Sequence, residues 1–534
     1  MSNGTKNASP LIVENSGRWF GNDGSWSTFY VYIGTPPQHF HVLPSTKGQT
    51  LYVPVDQDCM RMNISDCGGN RGVEVFDQRP SLGFQRNRSS TWKQIGTYRL
   101  GMGLNLGYSG NGYFGYDTAG PSSSRSNTPK LDQQAVVAFA STSFWVGQFG
   151  LLVTTLNLTD VEQPRSFLSN LREAGHIPSL SFGYSVGAPY RFTKVAGSLV
   201  LGGYDRSRIS KGANATISVP IVDDMNIALQ SISSTSANGT VNLLDDGIVS
   251  VIDSSVPELW LPTSVCEKFA TTFGLTYFEP ADRYIVPEAA RSELRKLAPT
   301  ISLTLGQSTT GGETITIDLP YAAFDLQANY PIFGTPTYYF PIRRARNTTQ
   351  YTIGRVLLQE AYFSVDFERN RFNISKAFYS SPMPAQEIMT IESVNKTINP
   401  SPGTKNGGGG GGGGLSTGAI AGIAVGGAIV LLLLGLAAWW FGFRKKPVDE
   451  EATPPAPMEE KKEHLVDDQN SPQEIGGNAI QGRTDLELMG RHVEVAEMEA
   501  DHKQPEKAQY HEKDANAAVA EVEGTSPIYE LPSP

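Results

Sequence analysis

Between residue 21 and about residue 380, Tyr, Phe, Val and Thr recur in short runs separated by turn formers. That spacing predicts many short strands rather than long amphipathic helices, an all-β dominated region. From about residue 381 the pattern gives way to Pro, Ser, Asn and Thr, then to eight consecutive glycines, Gly407 to Gly414, a linker with no means of packing. Gly418 to Phe443 follows: 26 residues without a charge, long enough to cross a bilayer with some tilt. Trp439 and Trp440 close this stretch and Arg444, Lys445 and Lys446 come next, so a transmembrane helix would leave that end in the cytoplasm. A buried core helix is the alternative, and it fits poorly between a polyglycine tether and a polar tail.

Charge sharpens this division. Residues 447–534 carry 21 acidic and 7 basic side chains, whereas the rest of the chain carries 32 and 36. The acidity belongs to a disordered, solvated tail, and a balance of +4 over the remainder leaves no footprint for nucleic acid. Ten Asn-X-Ser/Thr acceptors precede the span, at Asn3, Asn7, Asn63, Asn87, Asn157, Asn214, Asn238, Asn347, Asn373 and Asn395, and none follows it. This bias places the larger part outside the cell or in a secretory lumen. The first twenty residues are polar and carry no export signal, so either a signal lies upstream of this sequence or the span directs insertion. Gly418, Gly422 and Gly426 would line one face of the span, a homodimer pattern, although small residues are common in such helices.

Three cysteines add one constraint. Cys59 and Cys67 enclose a short loop of turn formers, either a local disulfide or two unrelated thiols, and Cys266 is left over. The domain plan is a polar segment 1–20, two lobes at 21–205 and 206–380, a linker 381–417, the span 418–443 and the tail 444–534.

The two lobes come from a faint internal repeat. Val42-Leu-Pro-Ser-Thr-Lys-Gly-Gln-Thr-Leu-Tyr-Val-Pro54 aligns with Ser250-Val-Ile-Asp-Ser-Ser-Val-Pro-Glu-Leu-Trp-Leu-Pro262 at one constant offset. Leu51, Tyr52, Val53 and Pro54 fall on Leu259, Trp260, Leu261 and Pro262, Thr46 falls on Ser254, and Ser45 falls on Asp253. Each copy reads as strand, polar turn, strand, which predicts two lobes of similar build facing each other.

These stretches belong to an ordered set of motifs. Ile33-Gly-Thr-Pro-Pro-Gln38, Phe84 with Ser89-Ser-Thr-Trp92, Gly112-Tyr-Phe-Gly-Tyr-Asp117, Gly197-Ser-Leu-Val-Leu-Gly-Gly-Tyr-Asp205, Ile353-Gly-Arg355 and Tyr362-Phe-Ser-Val-Asp366 occur in this sequence in that order. The set resembles the pepsin-like aspartic proteases, and the longer form with linker, span and tail resembles their fungal membrane-bound members. The resemblance implies a bilobal pepsin-like fold, a cleft for an extended peptide or protein, and no cofactor or metal. It also implies a small disulfide loop at Cys59 and Cys67, where the family has one after its first active-site turn. Cys266 resembles half of a second-lobe disulfide whose partner is missing.

The family's chemistry needs two facing carboxylates that share a proton, one from each lobe in an Asp-Thr-Gly turn. By this resemblance the second turn is Asp253-Ser254-Ser255, which keeps the acid and a hydroxyl but lacks the glycine. The first is Ser45-Thr46-Lys47, in which Thr46 survives, serine replaces the aspartate and lysine replaces the glycine. Asn105 stands nearest the flap tyrosine of the family, with Tyr108 three residues on. A catalytically inactive or impaired protease is therefore expected, acting as a peptide-binding or surface module.

Two alternatives stand beside it. An active acid endopeptidase would need a different register, and the nearest acids, Asp56 and Asp58, lie beyond Pro54 and would break the match with the second lobe. A tethered cell-surface or wall protein would use the fold only as a spacer or sensor. Ser45 as a nucleophile would require a base, and the outer part offers only His39, His41 and His176. His39 and His41 share one side of a strand but have no evident third metal ligand. Lys47 is placed to pair with Asp253 across the cleft.

Overall fold

The strand pattern follows from alternation wherever one face of a sheet is covered. In the hairpin Thr300–Gly306 and Thr314–Pro320, Ile301, Leu303 and Leu305 lie opposite Leu319, Ile317 and Ile315, and all six are buried. Successive side chains point to opposite faces, so the intervening Ser302 and Thr304 meet Asp318 and Thr316 on the outer face. The computed structural model describes residues 8–62, 64–122 and 128–394. Asn3, Asn7, Asn63 and Asn395, the candidate span with Gly418, Gly422 and Gly426, and the acidic tail lie outside the described residues. Among the described residues no helix is long and apolar enough to cross a membrane.

Strands from the two halves of the chain meet in one antiparallel six-stranded sheet. Its order is Leu11–Val13, Val195–Leu201, Ser181–Ala188, Ala361–Asp366, Arg371–Lys376 and Thr216–Pro220. Ser181–Ala188 is buried along its whole length, as expected of a strand covered on both faces. The first half builds an eight-stranded sheet outward from this base, and the second half builds another.

The internal repeat is realised strand for strand. In the first lobe Gln38–Ser45 runs parallel to Gly147–Gly150, which is antiparallel to Leu51–Pro54, which is parallel to Leu131–Ala140. In the second, Ile248–Ile252 runs parallel to Thr352–Ile353, which is antiparallel to Leu259–Pro262, which is parallel to Ile342–Ala345. Two polar turns, one after Ser45 and one after Ile252, are thereby held at corresponding places. The backbone passes tightly behind each. A Cβ at Gly150 would lie 2.5 Å from the Gly48 carbonyl carbon, and one at Gly354 would lie 2.5 Å from the Val256 oxygen. Both positions demand glycine for close approach.

One boundary differs from the expectation. Ordered structure continues past residue 380: Ile388–Thr390 pairs with Gly203–Asp205, and Arg206 N–H donates to the Glu387 carbonyl at 2.8 Å. The Pro- and Ser-rich texture of this stretch conceals a three-residue strand that satisfies an otherwise unpaired edge. The Cys59–Cys67 disulfide closes its short loop, and Cys266 is a buried free thiol.

Candidate active site

The two turns face each other and are joined by four buried hydrogen bonds. Thr46 N–H donates to Ser254 Oγ at 3.0 Å, and Ser254 N–H donates to Thr46 Oγ1 at 3.0 Å. Thr46 Oγ1 donates to the Ile252 carbonyl at 3.2 Å, and Ser254 Oγ donates to the Pro44 carbonyl at 2.7 Å. Each hydroxyl accepts from one backbone N–H of the other lobe and donates to one carbonyl. Thr46, Ser254 and Ser45 are fully enclosed, and Asp253 is 3 % exposed.

Asp253 Oδ1 accepts the Ser255 N–H at 2.8 Å and also the Ser255 hydroxyl. Burial pushes this carboxyl above the ordinary carboxylate range, and the charge of Lys47, the Ser255 bonds and the charge of Arg355 pull it part of the way back. Across from it, Ser45 Oγ accepts the Gly48 N–H at 3.0 Å and the Lys47 N–H at 3.3 Å. Its own proton faces Met102 Sδ at 3.9 Å, a weak acceptor.

Lys47 does not pair with Asp253. Its ammonium reaches across to Asp224, in the loop before strand Asn226–Ser236, whose carboxylate is exposed to solvent while that of Asp253 is enclosed. Asp56 and Asp58 lie in the short helix Asp56–Met62 beyond the first turn. Asp58 is spent on a buried ion pair with Arg71 at 2.6 Å. Histidine is equally remote: His41 Nε2 meets Glu74 at 2.5 Å and His39 Nδ1 meets the Ser122 hydroxyl at 3.4 Å. Among the described residues no group of three His, Cys, Asp or Glu side chains is set to hold a metal ion.

Asn105 sits at the tip of the hairpin formed by Lys93–Arg99 and Asn111–Pro121, in the single turn Leu104–Leu106. Tyr108 follows, its ring 5.5 Å from Phe144 and 6.4 Å from Trp260 of the second lobe. Of the acceptor asparagines described, Asn87, Asn157, Asn214, Asn238 and Asn347 are exposed, while half-buried Asn373 donates to the Ser364 hydroxyl at 3.2 Å.

Sequence reasoning passed over one residue that shapes the site. Arg355, 1 % exposed, donates to the carbonyls of Ser254 at 3.0 Å and Ser255 at 2.9 Å, and to Asp23 at 2.7 Å, with its guanidinium over the Trp26 ring. It braces the second turn from behind. The signal was an arginine directly after Ile353-Gly354, an unusual place to bury a charge, but its partner Asp23 is 332 residues away.

Two lobes built on one repeat, joined by paired hydroxyls at facing turns beneath a hairpin flap, define a protein of the pepsin-like aspartic protease class. The family model of the eukaryotic aspartyl proteases matches residues 28–377, more than half of the chain, and the chain belongs to that family. A comparison with curated proteins returns no match.

Proposed function

We propose that this chain is a membrane-anchored, pepsin-like protein that has lost most or all peptidase activity and works as a peptide-binding or surface module. The observation that carries this is the Ser45 hydroxyl at the place of the first acid, its oxygen accepting the Gly48 N–H. The family reaction needs one carboxylate to take a proton from water while the other gives one to the scissile carbonyl. A serine hydroxyl titrates far above neutrality and supplies neither role. Asp253 titrates alone, and loss of one member of such a unit costs on the order of 10⁴-fold or more in rate.

The anchor would be the span 418–443, with the two-lobed part outside the cell or in a secretory lumen, glycosylated at its exposed acceptors, and the tail in the cytoplasm. Self-association would run through Gly418, Gly422 and Gly426. A second reading, a tethered surface protein whose fold holds no ligand, is favoured by one observation: Leu106 of the flap is buried against the second lobe.

The test is digestion of a denatured protein substrate between pH 3 and 6 by the purified chain. Wild type and an Asp253→Asn variant run beside a Ser45→Asp, Lys47→Gly, Ser255→Gly variant and the same variant carrying Asp253→Asn. Inert wild type with a cleaving variant supports the reading. Cleavage by wild type that disappears on Asp253→Asn substitution refutes it.

A further inference from the structure

The flap does more than cover the cleft. Leu106 is 4 % exposed and packs against Val256, Trp260 and Ala345, all of the second lobe, whereas Leu104 on the outer side of the same turn is 41 % exposed. Val256 lies three positions after Asp253, so this apolar pocket adjoins the remaining acid. Two polar contacts fasten the tip. Asn105 Nδ2 donates to the Thr349 carbonyl at 2.9 Å, and Gln350 Nε2 donates to the Asn105 carbonyl. The Gln350 amide is itself oriented by the Arg346 N–H, which donates to its Oε1 at 2.7 Å. The tip is flanked by Gly101, Gly103, Gly107 and Gly110, all at positive φ, and nothing fills the Cβ space of Gly101 and Gly107. Such positions absorb large backbone changes and can serve as hinges on both sides of the turn.

We infer that Asn105-Leu106 is an intramolecular ligand: it occupies a leucine-sized pocket of the second lobe, latches the flap through Thr349 and Gln350, and keeps the cleft closed until released. An incoming chain must replace what the flap tip gives up, an aliphatic side chain in the pocket, a donor to the Thr349 carbonyl and an acceptor for the Gln350 side-chain amide. This rests on the peptide-binding reading above only for the identity of the incoming ligand. The latch itself does not depend on it.

Amide hydrogen exchange on the full-length protein in detergent tests the latch. In wild type the amides of residues 104–108 exchange slowly. Asn105→Ala removes one contact from an exposed side chain and speeds their exchange about 5-fold. Leu106→Ala speeds it roughly 30-fold or more, with the Thr46 and Ser254 amides unchanged in both variants. A fluorescent peptide of the chain's own sequence Gly101–Gly110 is then offered in trans. It binds the Leu106→Ala protein and not wild type, and the same peptide with Leu106→Asp binds neither. Exchange at 104–108 in wild type as fast as in the exposed turn at Gly239, or unaffected by both substitutions, overturns the latch. Faster exchange in both variants without peptide capture upholds the latch and refutes the peptide-binding reading of the cleft.

Discussion

Thr46→Val is the sharpest probe of the joint between the lobes, because it changes one atom's chemistry and almost nothing of its shape. The lost Oγ1 leaves the Ser254 N–H without an acceptor and the Ile252 carbonyl without a donor, both in a site closed to water. Each such orphan costs about 1–3 kcal/mol. The methyl group gained offsets about 0.8 kcal/mol, so the net loss should be about 3 kcal/mol. Thr46→Ser keeps the hydroxyl and removes only a methyl, for a loss of about 1 kcal/mol. Urea unfolding followed by tryptophan fluorescence at pH 7 measures both. The difference between the two variants isolates the hydroxyl from the packing. If Val and Ser variants unfold within about 0.5 kcal/mol of each other, the hydroxyl does not bridge the turns, and the geometry of the paired turns is wrong.

Four further outcomes are expected. Burial raises the Asp253 carboxyl, so its protonated form favours the folded state; that contribution is full below the ordinary carboxylate range and is lost as pH rises through the raised value. Asp253→Asn should therefore raise the melting temperature at pH 7.5 and leave it almost unchanged at pH 3, and a drop at pH 7.5 would contradict this. Replacing Cys59 and Cys67 by serine opens a short loop and should cost about 2.5 kcal/mol by chain entropy, read from the urea midpoint. Cys266, its thiol pushed up to about 12 by burial, should resist a thiol reagent until the protein unfolds. Asp58→Ala strands the Arg71 guanidinium, fully buried and also bonded to the Trp145 carbonyl at 3.0 Å, and should cost about 3–5 kcal/mol by the same unfolding assay.

What was legible in the sequence was what repeats or alternates. Leu51-Tyr-Val-Pro54 and Leu259-Trp-Leu-Pro262 could be matched because each is an inner strand whose neighbours impose the same apolar demands, and their pairings are indeed equivalent. Thr46 and Ser254 could be matched because either hydroxyl can accept one amide and donate to one carbonyl. Contacts between residues of unlike type and distant number were not legible. Nothing local ties Lys47 to Asp224, Arg355 to Asp23, or Leu106 to Trp260, since each is decided by which surfaces the two lobes bring together. Leu106 is the clearest case: beside Asn105 in a glycine-rich turn it reads as an exposed flap residue, and only the opposite lobe makes it a buried one.

The same distinction explains how the paired turns hold together with serine at position 45. The four bonds that join the two turns run between the hydroxyls of Thr46 and Ser254 and backbone, and none of these four uses a carboxylate. At the first turn the demand on residue 45 is for an acceptor for the Gly48 N–H, and a serine oxygen meets it at 3.0 Å. At the second, Ser255 supplies Asp253 with both a backbone and a side-chain donor, and Arg355 secures the turn through carbonyls. A second buried carboxylate beside Asp253 would add like-charge repulsion to the cost of burial. Serine at position 45 brings no charge against Asp253, and the four turn-to-turn bonds run through Thr46 and Ser254, so the joint between the turns does not depend on an acid at position 45.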